Sequence, residues 1–116
     1  MDHERRRSHR LRAYQPVRLR KPGAATLIET LAKDVSSTGL RCLSQVEFPV
    51  ATELIIELLL SSGYAPFTAR GKMIWFQAIP QSEQFDIGIE FVDVSQENQR
   101  RLSVYLDRLS RQAIPA

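Results

Sequence analysis

Four arginines stand close together near the start of the chain: Arg5, Arg6, Arg7 and Arg10, in ERRRSHR. Guanidinium groups keep their charge and repel one another, so such a cluster suits an anionic partner. Each planar fork can clamp phosphate oxygens or the O6/N7 edge of guanine, and its flat face can stack on a ring. Arg6 and Arg10 have the spacing RxxxR. Taken alone, the run also fits a solvated tail or a generic polyanion binder. A second stretch, DVSSTG at 34–39, adds complementary chemistry. Asp34 offers a carboxylate that accepts from guanine N1–H and the exocyclic amine. Ser36 adds a hydroxyl, and Gly39 lets the backbone approach a flat ligand closely. By itself this stretch also reads as a tight strand-to-strand turn. Together the two describe a site for an anionic guanine nucleotide.

Catalytic patterns are missing from the sequence. His3 and His9 are the only histidines, and neither has a Cys, Asp or Glu at metal-ligand spacing. There is no glycine-rich phosphate loop, zinc pattern or nucleophile elbow. We therefore expect no enzyme, no metal and no cofactor. The single cysteine, Cys42, follows Leu40 at strand spacing and is expected as a small core residue in a reducing compartment.

Charge separates head from body. Residues 1–22 hold eight basic and two acidic residues, a net +6, whereas residues 23–116 hold eight basic and eleven acidic, a net −3. Nucleic acid, a nucleotide or an anionic membrane surface would each fit the basic head. The charged start is not followed by an apolar stretch, so no secretory signal is expected. LIIELLL at 54–60 is too short to span a bilayer. These features predict a soluble, cytoplasmic protein without membrane insertion.

The elements that must position the two motifs are short. Residues 1–12 have almost no apolar content and are expected as a flexible basic arm; 13–112 are expected as one folded domain. Strands are expected at 14–20, 26–34, 38–43, 53–60, 67–78 and 85–91. In the last, Phe85, Ile87, Ile89 and Phe91 alternate with Asp86, Gly88 and Glu90, giving one buried and one wet face. The tail changes period. Leu102, Tyr105, Leu106 and Leu109 predict an amphipathic helix within about 95–112, with Ser95 as N-cap. Short strands with turn signals predict an antiparallel sheet or barrel that the helix covers.

RxxxR at Arg6–Arg10, followed by [DN]xSxxG at Asp34–Gly39, resembles the two-part signature of the PilZ domain, a family that binds the bacterial second messenger cyclic di-GMP. The resemblance runs through ERRRSHR, DVSSTGLR, GKMIW and DIGIEFVDVSQENQRRLSVYL in order, roughly Glu4 to Leu109. It implies a mainly β fold, a six-stranded antiparallel β-barrel with a C-terminal α-helix. It implies that Arg6 and Arg10 contact phosphate and guanine, with Arg5 and Arg7 adding charge or stacking. It implies that Asp34 and Ser36 bond a guanine and that Gly39 keeps the turn tight. Trp75 is a further candidate for a guanine contact; otherwise it is core, on the strand face of Met73. The resemblance further implies signalling by contact with an unidentified downstream protein, and we expect a monomer. Two rivals compete with this reading: a generic nucleic-acid binder, disfavoured by the acidic body, and a protein adaptor that does not depend on nucleotide.

Overall fold

A computed structural model describes residues 11–25, 27–60 and 65–112. Six strands close into a barrel: β1 (Leu11–Arg20), β2 (Ile28–Val35), β3 (Gly39–Ser44), β4 (Glu53–Leu58), β5 (Phe67–Ala78) and β6 (Phe85–Asp93). Helix α1 (Gln96–Gln112) follows. The strand order around the barrel is β1-β2-β3-β6-β5-β4, and every neighbouring pair is antiparallel. Closure leaves no free sheet edge.

Period-two alternation fills the interior. Val17 and Leu19, Leu40 and Cys42, Leu54, Ile56 and Leu58, Phe67, Ala69 and Met73, and Ile87 and Ile89 all point into one buried cluster. Gly71 faces the same core, where a Cβ would press on the Ile56 and Ile89 side chains. Cys42 lies in this cluster, as expected. Burial pushes its thiol up to about 12, with Asp86 and then Asp34 adding repulsion toward a thiolate.

The helix forms and docks for separate reasons. The Ser95 hydroxyl accepts from Asn98 N at 3.1 Å, an N-cap bond that satisfies one otherwise unpaired amide. Glu97 in the first turn and Arg111 in the last suit the helix dipole. Leu102 and Tyr105 are buried, with Leu106 and Leu109 packed beside them. The helix contacts β1 and β5 and lies over the barrel end at which β5 begins. There Asn98 donates to Thr68, and Arg101 donates to the carbonyls of Pro66 and Ala65.

Strand bounds differ from the sequence reading in instructive places. The first strand begins at Leu11, not 14, because Leu11 and Arg12 pair with Val35 and Asp34 across a β-bulge. Tyr14, at φ 50°, supplies the left-handed backbone of that irregularity. The last strand runs on to Asp93, which pairs with Arg70. Pairing partners, rather than local alternation, set both limits.

No helix among the described residues is long and apolar enough to cross a membrane. Nor does any group of three or more His, Cys, Asp or Glu among them have the geometry to hold a metal ion.

Candidate functional site

The turn that joins β2 to β3 is held from within. Ser36 is fully buried, and its N–H donates to the Gly39 carbonyl at 2.8 Å. The Ser36 hydroxyl accepts from Thr38 N at 3.2 Å and donates to the Gly39 carbonyl at 3.3 Å. It also lies 3.2 Å from the Thr38 hydroxyl. Phe91 N donates to the Thr38 carbonyl at 2.8 Å, tying the turn to β6. Ser36 thus spends its hydrogen-bonding capacity on the shape of the turn.

Gly39 is needed for space, not for unusual backbone geometry. Gly23 is the only described glycine with positive φ. A Cβ on Gly39 would sit on the Ile89 carbonyl oxygen and crowd Glu90 Cα. The sequence reading gave this glycine two uses, a tight turn and close approach to a ligand; the structure adds a third, the close approach of strand β6.

Strand register places one row of residues across the outer wall. Asp34 pairs with Arg41, Arg41 with Gly88, and Gly88 with Trp75. The row crosses β2, β3, β6 and β5, three strand spacings or about 14 Å. Arg41 Nε lies 2.9 Å from Asp34 Oδ2, an ion pair on the outside of the barrel. The Nε is buried and lacks an aligned hydrogen bond, so charge rather than direction makes this contact. Beside it, Lys33 Nζ donates to Asp86 Oδ1 at 2.9 Å. The carboxylate side chain of Asp34 is 11% exposed and that of Arg41 is 39% exposed, so the pair has a wet side.

Two bulges create the row. Between Ala32 and Asp34, β2 carries one extra residue relative to β3, which turns Asp34 outward although Ala32 and Val35 both face the core. Between Met73 and Trp75, β5 carries one extra residue relative to β6. Simple alternation puts Trp75 on the buried face of Met73. The bulge instead sets it opposite Gly88, between inward-facing Ile87 and Ile89, so its indole lies on the outer wall, half-buried. The reading of Trp75 as core beside Met73 does not hold.

Of the residues singled out from sequence, Asp34, Ser36, Gly39 and Trp75 are described, and Asp34 and Trp75 share the outer row. Arg5, Arg6, Arg7 and Arg10 lie outside the described residues. Leu11, the residue after Arg10, is paired with Val35 at the base of the turn. Arg41, Lys33 and Gly88 were missed. Arg41 was findable, because it stands between Leu40 and Cys42 at the outward phase of a strand. Lys33 and Gly88 were not, because bulges and cross-strand register decide what they touch.

Behind the turn, a cleft of about 380 Å³ runs between Ser37 and Thr38, the end of β6 and the α1 residues Leu102 and Leu106. One turn therefore borders both the outer row and the helix.

A search of curated proteins finds no match. Among solved structures, the Bacillus subtilis Inhibitor of motility (MotI/DgrA) aligns with a TM-score of 0.79 at 18% identity, covering 95% of this chain and 53% of that one. The PilZ domain with c-di-GMP of YcgR from Escherichia coli aligns at 0.70 and 19% identity, covering 94% of each chain. The K. pneumonia MrkH–c-di-GMP complex aligns at 0.70 and 19% identity, covering 94% of this chain and 53% of that one. The chain spans about half the length of MotI/DgrA and of MrkH. At these identities the likeness carries the fold. The family profile described as PilZ domain matches residues 4–108, nearly the whole sequence. The closed six-stranded barrel, its C-terminal helix and that match agree: the chain belongs to the PilZ domain family.

Proposed function

We propose that this protein is a receptor for cyclic di-GMP, a binding effector rather than an enzyme. The observation that carries the reading is the outer row, with the Asp34 carboxylate at one end and the Trp75 indole at the other. Further support comes from the PilZ family match and from relatives solved with c-di-GMP bound, YcgR and MrkH. Asp34 accepts from the N1–H and exocyclic amine of one guanine. Ser36 and Gly39 hold the turn that presents it. Trp75 offers a ring face for stacking, a contact that any base can use.

The arginines complete the site. Connectivity tethers Arg10 one residue from Leu11, which is paired at the base of the turn. Arg6 and Arg10 clamp phosphate oxygens or the guanine O6/N7 edge, and Arg5 and Arg7 add charge and stacking. The ligand brings two phosphodiester charges to a segment whose own charges repel. Charge-assisted bonds are roughly twice as strong as neutral ones, which offsets the cost of ordering that segment. The occupied face is then what a downstream protein reads, and the turn's second contact with the helix-side cleft gives the signal a route to α1.

Calorimetric titration of the purified protein with cyclic di-GMP tests this, with GTP and cyclic di-AMP as controls. Saturable heat with cyclic di-GMP alone is expected. No heat from a folded sample would remove the receptor reading and leave the nucleotide-independent adaptor.

A further inference from the structure

Gly88 stands between two fully buried isoleucines, Ile87 and Ile89, yet its missing side chain points the other way. Its strand partners on the two sides are Arg41 and Trp75, both on the outer wall. A Cβ built there would overlap the Trp75 indole at Nε1, Cε2 and Cδ1. All three of its nearest atoms belong to that one ring. The indole therefore lies down on Gly88, in space that any other residue would fill. Lying there, the ring covers β6 at Gly88, whose other strand partner is Arg41.

We propose that Gly88 is a positioning residue for the nucleotide: by lacking a side chain it seats the Trp75 indole flat against β6 as a base-stacking platform. This rests on the receptor reading above. The physical case is pre-organisation. An exposed tryptophan side chain on a strand samples several rotamers, and each bound base must order it. A ring already lying against the Gly88 backbone has lost that freedom before the ligand arrives. The bulge between Met73 and Trp75 and the glycine at 88 act together: one turns the ring outward, and the other gives it a floor.

Trp75 is the only tryptophan, so its emission reports this site alone. Four proteins decide the matter: wild type, Gly88→Ala, Trp75→Leu and the double variant, each titrated with cyclic di-GMP by calorimetry. Gly88→Ala is expected to weaken binding about tenfold, in the range of a lost base–aromatic stack. It should also shift Trp75 emission toward that of a solvated indole. In the Trp75→Leu background, adding Gly88→Ala should change affinity less than twofold, because the glycine acts only through the ring. Should Gly88→Ala melt early, the double variant is expected to recover the loss, since the overlap is gone. In wild type, cyclic di-GMP should shield the indole from acrylamide quenching. Wild-type affinity and emission in Gly88→Ala would overturn the proposal, as would an equal loss in both backgrounds. Failure of wild type to bind would overturn the receptor reading and this proposal with it.

Discussion

Asp34 and Arg41 face each other across the β2–β3 pairing, with Oδ2 and Nε 2.9 Å apart on the outside of the barrel. The carboxylate proposed to read guanine is thus held by a neighbouring strand, with a bulge at Lys33 turning it outward. A residue fixed in this way loses little entropy when it meets a ligand.

Substituting Asp34→Asn keeps the size and removes the charge. The amide NH2 cannot accept from a guanine N–H. Hydrogen bonds to charged groups are worth about 1.5–3 kcal/mol, so affinity for cyclic di-GMP should fall about ten- to hundred-fold by calorimetry. The ion pair with Arg41 is partly exposed and contributes about 1 kcal/mol or less, so the melting temperature should drop only by about 5 °C. Binding at wild-type strength would show that Asp34 is not a ligand contact.

Arg10→Ala separates site from scaffold more cleanly. It should weaken cyclic di-GMP binding by roughly tenfold or more, the loss of one charge-assisted contact. The thermal melt should stay at the wild-type midpoint. An unchanged dissociation constant would contradict the assignment of RxxxR.

Gly39→Ala tests the turn. The added Cβ meets the Ile89 carbonyl oxygen, part of a backbone that cannot move without disturbing the β3–β6 pairing. A cost of about 2 kcal/mol or more is expected, or roughly a 10 °C fall in melting temperature. Gly23→Ala is the comparison: its Cβ would meet open space, but its φ of 77° is costly for a side chain, so a smaller loss of about 1 kcal/mol is expected.

Alkaline stability should reflect Cys42. The folded thiol is pushed up to about 12 from an ordinary 9.0, first by burial. Between those values the unfolded chain releases a proton that the folded chain retains. Stability should therefore be full below about pH 9 and decline as pH rises toward 12. Tyr105 adds to the decline above pH 10: burial pushes its hydroxyl up, partly offset by the nearby Gln15 side chain. Urea melts at pH 8 and pH 10 measure the slope, and Cys42→Ala should flatten it. At pH 8 a thiol reagent should label Cys42 only as fast as the protein unfolds.

The legible parts of this protein are those governed by local pattern. Phe85, Ile87 and Ile89 alternate with polar residues and glycine, and that alone located β6. Leu102, Tyr105 and Leu106 recur at helical spacing, and α1 occupies the predicted 96–112. The inward position of Cys42 followed from its spacing to Leu40. The illegible parts are set by strand-to-strand register. Trp75 follows Met73 by two residues, the spacing of a shared face, and only the extra residue in β5 moves it to the other wall. Asp34 is turned outward by a similar insertion in β2. Ser36 carries a hydroxyl suited to a ligand, and the turn's own amide and carbonyl take it instead. In each case a residue on another strand, or a backbone group nearby, decides what the side chain does.

An amide NMR titration of the wild-type protein with cyclic di-GMP tests the shared guanine site most directly. The largest shifts are expected at Asp34–Gly39, at Arg41 and Gly88, and at the Trp75 indole N–H, saturating together. The far barrel end, at Gln45–Val46, should stay still. Shifts confined to the arginine-rich start, with the turn and the indole unmoved, would mean that the head binds anions without the barrel and would contradict a shared guanine site.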